Sequence, residues 1–106
     1  MVSKHYLNQR IEREKFIEEY LGGNGRVVDG FVVDKGHPNG AEFHFITDNG
    51  LIIVHNLLTG KLVTKLLARE WQIRRYYEDT QRERPPEYEK IVELAKLHES
   101  LGYNYM

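Results

Sequence analysis

Two histidines and a lysine recur in the middle of the chain, each in a segment where side chains alternate in character. These residues are His44, His55 and Lys65. Imidazole has an ordinary pKa near 6.5, so a neutral ring can remove a proton while a protonated ring donates one. A nearby ammonium group stabilises negative charge that develops on a phosphoryl group. Cleavage of RNA without a metal needs these residue types, provided that the fold brings them together.

The segments that carry these residues predict a β-meander. Val, Ile and Phe are enriched in four short runs, which are separated by Gly, Pro and Asn. Asn49-Gly50 predicts a two-residue type I′ hairpin, and Leu58-Thr59-Gly60 predicts a three-residue loop whose glycine is left-handed. Gly30 is a candidate β-bulge. The predicted strands are Arg26–Asp34, Glu42–Asp48, Leu51–Leu57 and Lys61–Ala68.

The turns fix a predicted register. A two-residue turn places Asp48 opposite Leu51, and therefore His44 opposite His55 with their Cβ atoms about 5 Å apart. The next loop places Ile53 opposite Lys65. Side chains alternate between faces. We therefore expect helices to cover a face with Phe43, Phe45, Ile52, Val54, Leu62, Thr64 and Leu66, and an open face with Glu42, His44, Ile46, Ile53, His55, Lys61, Val63 and Lys65.

Helices are predicted on both sides of the meander. Apolar residues recur near the 3.6-residue period in Asn8–Leu21, and Gly22–Gly25 ends that helix. Gln72 to about Arg82 forms a second helix, which Pro85-Pro86 ends. The third runs from Pro86 to about Ser100. Its predicted buried residues are Tyr88, Ile91, Val92, Ala95 and His98. Residues 1–106 thus predict one α+β domain.

Composition narrows the functional classes. The 106 residues include no cysteine, which excludes disulfides and thiolate chemistry. No apolar run approaches the ~20 residues needed to cross a bilayer, so we expect a cytoplasmic protein with no membrane partner. We also expect no cofactor. The net charge is −1, but basic residues concentrate between Lys61 and Arg84. Candidate substrate-binding residues in that stretch are Lys61, Arg69, Trp71, Arg74 and Arg75.

The stretch from Arg26 to Tyr77 resembles the barnase/EndoU/RelE-like superfamily of small RNases and toxins, of which phages encode divergent members. The segments that carry this resemblance are GHPNGAEFH, ITDNG, HNLLTGKLVT and QIRRYY. The resemblance implies RNA cleavage to a 2′,3′-cyclic phosphate. It further implies that His44 and His55 are the acid and base and that Lys65 and Arg69 stabilise charge. His37, in the loop before the second strand, is a further catalytic candidate.

Other functions remain open at this point. The apolar Ile46, Ile53 and Val63 on the predicted open face suit a non-catalytic module that binds a host protein or forms a homodimer. A structural subunit of an assembly is a third alternative. His44 and His55 with Glu42 or His37 could ligate a metal, but their spacing matches no diagnostic pattern, and no metal is expected.

Overall fold

A computed structural model of the chain describes residues 15, 17, 18, 22, 23, 25–34 and 40–100. Its centre is a four-stranded antiparallel sheet with the strand order β1-β2-β3-β4. The strands are β1 (Val27–Val33), β2 (Glu42–Thr47), β3 (Leu51–Asn56) and β4 (Leu62–Leu67). Two helices follow, α1 (Glu70–Thr80) and α2 (Tyr88–Ser100). The predicted α+β class, the meander and the two C-terminal helices are confirmed.

The segment before β1 is fastened to the turn between β2 and β3. Lys15, Ile17 and Glu18 are helical, whereas the rest of the predicted helix Asn8–Leu21 lies outside the described residues. Ile17 is fully buried. The Asn49 side chain donates a hydrogen bond of 2.8 Å to the Gly23 carbonyl, which fixes where this segment meets the sheet.

The pairing of β2 with β3 is shifted by one residue from the predicted register. Phe43 lies opposite His55, and His44 lies opposite Val54. The predicted cross-strand pair of histidines is therefore wrong. Three residues, not two, separate Thr47 from Leu51, and in this turn Gly50 has a φ of 84° while Asn49 does not adopt a positive φ.

Local hydrogen bonds explain the longer turn. A type I′ turn needs both central residues left-handed, and only Gly50 meets that condition. The Thr47 hydroxyl instead donates to Asn49 Oδ1 at 2.6 Å and accepts from the Leu51 amide at 3.0 Å. The Asp48 carboxylate accepts from the Arg26 amide at 3.0 Å. These bonds tie Thr47 and Asp48 into a three-residue turn.

The shifted register exchanges the faces of β2. His44 and Ile46 lie on the side that the helices cover, which we call the helix face. Phe43 and Phe45 lie on the other side, the opposite face, with Ile53 and His55 of β3. The expectation that these two phenylalanines lie under the helices, with Glu42, His44 and Ile46 exposed on the open side, is therefore wrong.

The pairing of β3 with β4 agrees with the prediction at Ile53 but not at His55. Ile53 lies opposite Lys65, as expected. The loop before β4 is longer than predicted, because the Asn56 amide donates to the Lys61 carbonyl and four residues lie between them. Val63 is an extra residue, and Leu62 consequently lies opposite His55 on the opposite face rather than in the core. In β1 the extra residue is Val28, not Gly30.

The hydrophobic core lies between the helix face and the two helices. Burial of each large side chain contributes about 1.5–3 kcal/mol. All five α2 residues that were predicted to be buried are buried. The core residues are Phe31, Ile46, Ile52, Val54, Ala68, Ile73, Tyr77, Tyr88, Ile91, Val92 and Ala95.

The backbone conformation of Gln81, which ends α1, indicates a stabilising substitution. Gln81 has φ 53° and ψ 29°, the left-handed conformation that glycine adopts without a steric penalty. We expect Gln81→Gly to raise the free energy of unfolding by about 1 kcal/mol, measured by urea denaturation, because relief of about 1–2 kcal/mol of left-handed strain outweighs the added entropy of glycine in the unfolded chain. The control Glu83→Gly, at an exposed position with an ordinary φ, should not stabilise. Equal effects of the two substitutions would contradict this role of Gln81.

Candidate functional site

A chain of three polar side chains crosses from β2 to α1. His44 Nδ1 lies 2.6 Å from the Tyr76 hydroxyl, and His44 Nε2 lies 3.2 Å from Glu42 Oε1. Glu42 and His44 are two residues apart on a strand, so their side chains share one face. Tyr76 reaches them from α1, where its ring stacks on Phe31 with centroids 5.0 Å apart. We call Glu42, His44 and Tyr76 the relay.

When the His44 ring is neutral, the chemistry of the three groups assigns the protons in the relay. An ionised carboxylate only accepts hydrogen bonds, so His44 Nε2–H donates to Glu42. In the neutral ring Nδ1 is then the acceptor, and the Tyr76 O–H donates to it. A nucleophilic or proton-transferring hydroxyl, its base and a group that orients the base stand in this order in catalytic triads.

Burial controls the protonation of the tyrosine. It raises the pKa of Tyr76 to about 12, and the negative charge of Glu42 adds to the effect. Tyr76 is therefore a neutral phenol at pH 7. When the His44 ring is neutral, the phenol can accept a proton on its oxygen while it passes its own proton to the ring.

The relay borders a cleft of about 370 Å³ between the sheet and α1. His44 and Tyr76 form part of its wall, together with the half-exposed Trp71. Arg75 also lines the cleft, and its guanidinium lies 3.4 Å from Asp79 in a pair whose side chains are both largely exposed. Such pairs contribute little free energy, so the guanidinium can exchange this partner for an anion. The remaining lining residues are Val33, Gln72 and Asp79.

Comparison with known proteins identifies no relative. No family model, no curated protein and no solved structure matches this chain.

The predicted catalytic residues do not meet at one site. His44 lies in the relay, but His55 is on the opposite face, where its Nδ1 lies 3.1 Å from the Gly60 carbonyl oxygen. Lys65 shares the opposite face with His55. His37 lies outside the described residues. The separation of His44 from His55 by the thickness of the sheet rules out their joint action on one bond.

The predicted substrate-binding residues divide in the same way. Trp71 and Arg75 line the cleft. Arg74, one residue from Arg75, pairs with Glu70 at 2.8 Å. Arg69 precedes α1, where its amide donates to the Gln72 side chain at 3.0 Å. Lys61 lies at the end of the loop that joins β3 to β4, where its carbonyl accepts a hydrogen bond from the Asn56 amide.

Two residues of the relay were not assigned by the sequence prediction. Glu42 was correctly placed on the same face as His44 but was considered only as a metal ligand or a residue of the open face. Tyr76 is 32 residues from His44 in sequence, and only the packing of α1 brings them together. In the described part of the chain, no group of three or more His, Asp or Glu residues is placed to hold a metal ion.

A second concavity, of about 440 Å³, lies on the opposite face. Its lining is mainly apolar, with Phe43, Phe45 and Ile53 beside His55. It shares no lining residue with the cleft. Within the described residues, the helices are also too short or too polar to span a membrane.

The burial of a third histidine, His98, makes the stability of the fold depend on pH. His98 is buried at the end of α2, close to Gly50, and burial lowers its pKa below the ordinary 6.5. The folded protein therefore binds this proton less readily than the unfolded chain, and stability decreases as the pH falls below 6.5. We expect His98→Gln to weaken that decrease in urea denaturation between pH 7.5 and 5.5. An unchanged dependence in the variant would contradict this role.

Proposed function

We propose that the chain cleaves RNA at the cleft beside the relay, without a metal ion. The observation that supports this proposal is the hydrogen-bonded sequence Glu42–His44–Tyr76, which opens onto a cleft that also presents Arg75 and Trp71. The proposal keeps His44 as the catalytic histidine and replaces His55 with Tyr76 as its working partner.

The relay removes the proton from the ribose 2′-hydroxyl. The 2′-oxygen attacks phosphorus and forms the new O–P bond, while its proton moves to the Tyr76 oxygen. Tyr76 passes its own proton to His44 Nδ1, and Glu42 stabilises the resulting imidazolium. The P–O5′ bond breaks, and the 5′-oxygen takes a proton from water. The hydroxide that remains removes the proton from His44, which returns the relay to its starting state. The products are a 2′,3′-cyclic phosphate and a 5′-hydroxyl.

Two cleft residues suit the substrate. The Arg75 guanidinium can form two parallel hydrogen bonds to the non-bridging phosphate oxygens and stabilise the charge of the phosphorane. The exposed Trp71 ring offers a surface on which an unpaired base stacks, an interaction worth about 1–3 kcal/mol per base. Because stacking of this kind needs an unpaired base, we expect a preference for single-stranded RNA.

The two histidines provide a matched test. Single-stranded RNA is incubated in EDTA with the wild type, with His44→Gln or with His55→Gln, and the product ends are identified. Glutamine retains a polar group of similar size but cannot act as the base. We expect cyclic-phosphate products from the wild type and from His55→Gln, and a rate about 10²–10⁴-fold lower in His44→Gln.

Two results would contradict the proposal. One is the absence of cleavage by the folded wild type on single-stranded RNAs of varied sequence. The other is an equal loss of activity in both variants, because His55 is on the other side of the sheet from the cleft.

A further inference from the structure

An apolar row crosses all four strands on the opposite face. Val32 lies opposite Phe43, Phe43 opposite His55, and His55 opposite Leu62. We call these four residues the open row. Val32 and Leu62 at its ends are 57% and 45% exposed, and Leu57 and Leu58 in the adjoining loop are 50% and 83% exposed. These four side chains are therefore exposed to water.

Gly30 allows the Phe43 ring to lie close to the backbone of β1. A Cβ atom built on Gly30 would come within 2.3 Å of Cε1 of the Phe43 ring. The ring therefore packs over the bare backbone of β1, and it also contacts Phe45, with centroids 4.6 Å apart. The result is an aromatic floor beside the 440 Å³ concavity, a shape that accepts apolar side chains from outside.

The charges on this face favour an acidic partner. The strand residues that point to the opposite face include Lys65 and His55 but no aspartate or glutamate. A second copy of the chain would bring the same cation and no carboxylate from these strand positions. A partner that carries acidic residues beside apolar ones complements the face.

The dimensions favour a single helix. Four strands at a spacing of about 4.8 Å are about 19 Å wide, the length of a helix of about 13 residues. The open row and its immediate neighbours extend about 10 Å along the strands, so their area is about 200 Å². Each partner in a stable complex of two globular domains buries about 800 Å². The width of the sheet thus matches one helix, and the open row alone supplies only about a quarter of the area that each copy buries in a stable dimer of globular domains.

We propose that the open row docks an amphipathic helix of a partner protein, with apolar residues against Phe43 and Leu62 and acidic residues beside Lys65. Helices of this kind present residues i, i+3, i+4 and i+7 to a groove. This interaction does not depend on RNA cleavage, because the cleft is on the other face of the sheet and shares no lining residue with the concavity.

The probes are two fluorescein-labelled designed helices with leucine at i, i+3, i+4 and i+7 and either glutamate or lysine at the other positions. Their affinity for the full chain is measured by fluorescence anisotropy. We expect the glutamate helix to bind about tenfold more tightly than the lysine helix, a difference of about 1.4 kcal/mol. Leu62→Ser should weaken the binding of the glutamate helix, and Lys65→Glu should reverse the preference.

Leu97→Ser is the matched control, because Leu97 is an equally exposed leucine on α2 and far from the open row in the fold. It should leave both affinities unchanged. The proposal is overturned if neither helix binds saturably, if both bind equally, or if Leu97→Ser weakens binding as much as Leu62→Ser. Self-association of the chain in sedimentation that Leu62→Ser abolishes would also overturn it, since the occupant would be a second copy.

Discussion

Replacing Tyr76 with phenylalanine is expected to lower the rate of RNA cleavage by about 10²–10⁴-fold while the protein stays folded. The substitution removes the hydroxyl that passes the proton from the substrate to His44 Nδ1, 2.6 Å away. The ring remains stacked on Phe31. Initial rates on single-stranded RNA, with circular dichroism to verify folding, measure the effect.

The neighbouring tyrosine supplies the control for this prediction. The Tyr77 hydroxyl donates a hydrogen bond of 2.8 Å to Asp29, away from the cleft. Tyr77→Phe and Tyr76→Phe each remove one hydrogen bond to a partly buried polar side chain, a loss of about 1 kcal/mol of stability in each case. Only Tyr76→Phe should lose activity. Equal rates in the two variants would mean that the relay merely fastens α1 to the sheet.

The largest effect on stability is expected for Phe31→Ala, which should lower the free energy of unfolding by about 3–5 kcal/mol. Phe31 is 1% exposed. Its ring stacks on Tyr76 and meets the edge of Tyr77 at 5.1 Å, while the Arg82 guanidinium lies 4.4 Å from its centroid. Against a total stability of about 5–15 kcal/mol, this loss is large, and urea denaturation measures it.

Phe45→Ala is the comparison that tests the strand register. Phe45 is only half-buried on the opposite face, beside Phe43 and with its ring 5.6 Å from that of His55. We expect Phe45→Ala to cost about half as much stability as Phe31→Ala. The register predicted from the sequence places Phe45 under the helices. A loss at Phe45 as large as that at Phe31 would therefore favour the predicted register over the observed one.

Local sequence signals were sufficient to predict the strands and the C-terminal helices, but not which side chains meet at the site. Glycines at the turns and β-branched runs between them placed all four strands within two residues of their observed bounds, and the 3.6-residue period identified the buried side of α2. Asn49-Gly50, however, suits both a two-residue turn and a three-residue turn that includes Asp48. Hydrogen bonds from Thr47 and Asp48 decide between them, and these bonds depend on the folded positions of Arg26 and Leu51.

The one-residue difference in the pairing of β2 with β3 changed which residues can form the site. A slip of one residue sends every side chain of a strand to the other face, so it separated His44 from His55 and placed His44 under α1. The partner that His44 acquires there, Tyr76, belongs to a helix whose packing on the sheet no local pattern specifies. The residue types for acid–base chemistry could be predicted from the sequence, whereas their partners could not.

The most direct test of the relay site is to map by NMR where RNA binds. A short single-stranded RNA with one 2′-deoxy nucleotide at the cleavage position is titrated into the ¹⁵N-labelled chain, since it can bind but cannot be cleaved. We expect the resonances of His44, Trp71, Arg75 and Tyr76 to shift while those of Phe43, His55 and Lys65 do not. Shifts confined to the opposite face, or no shifts at all, would contradict the assignment of RNA cleavage to the cleft.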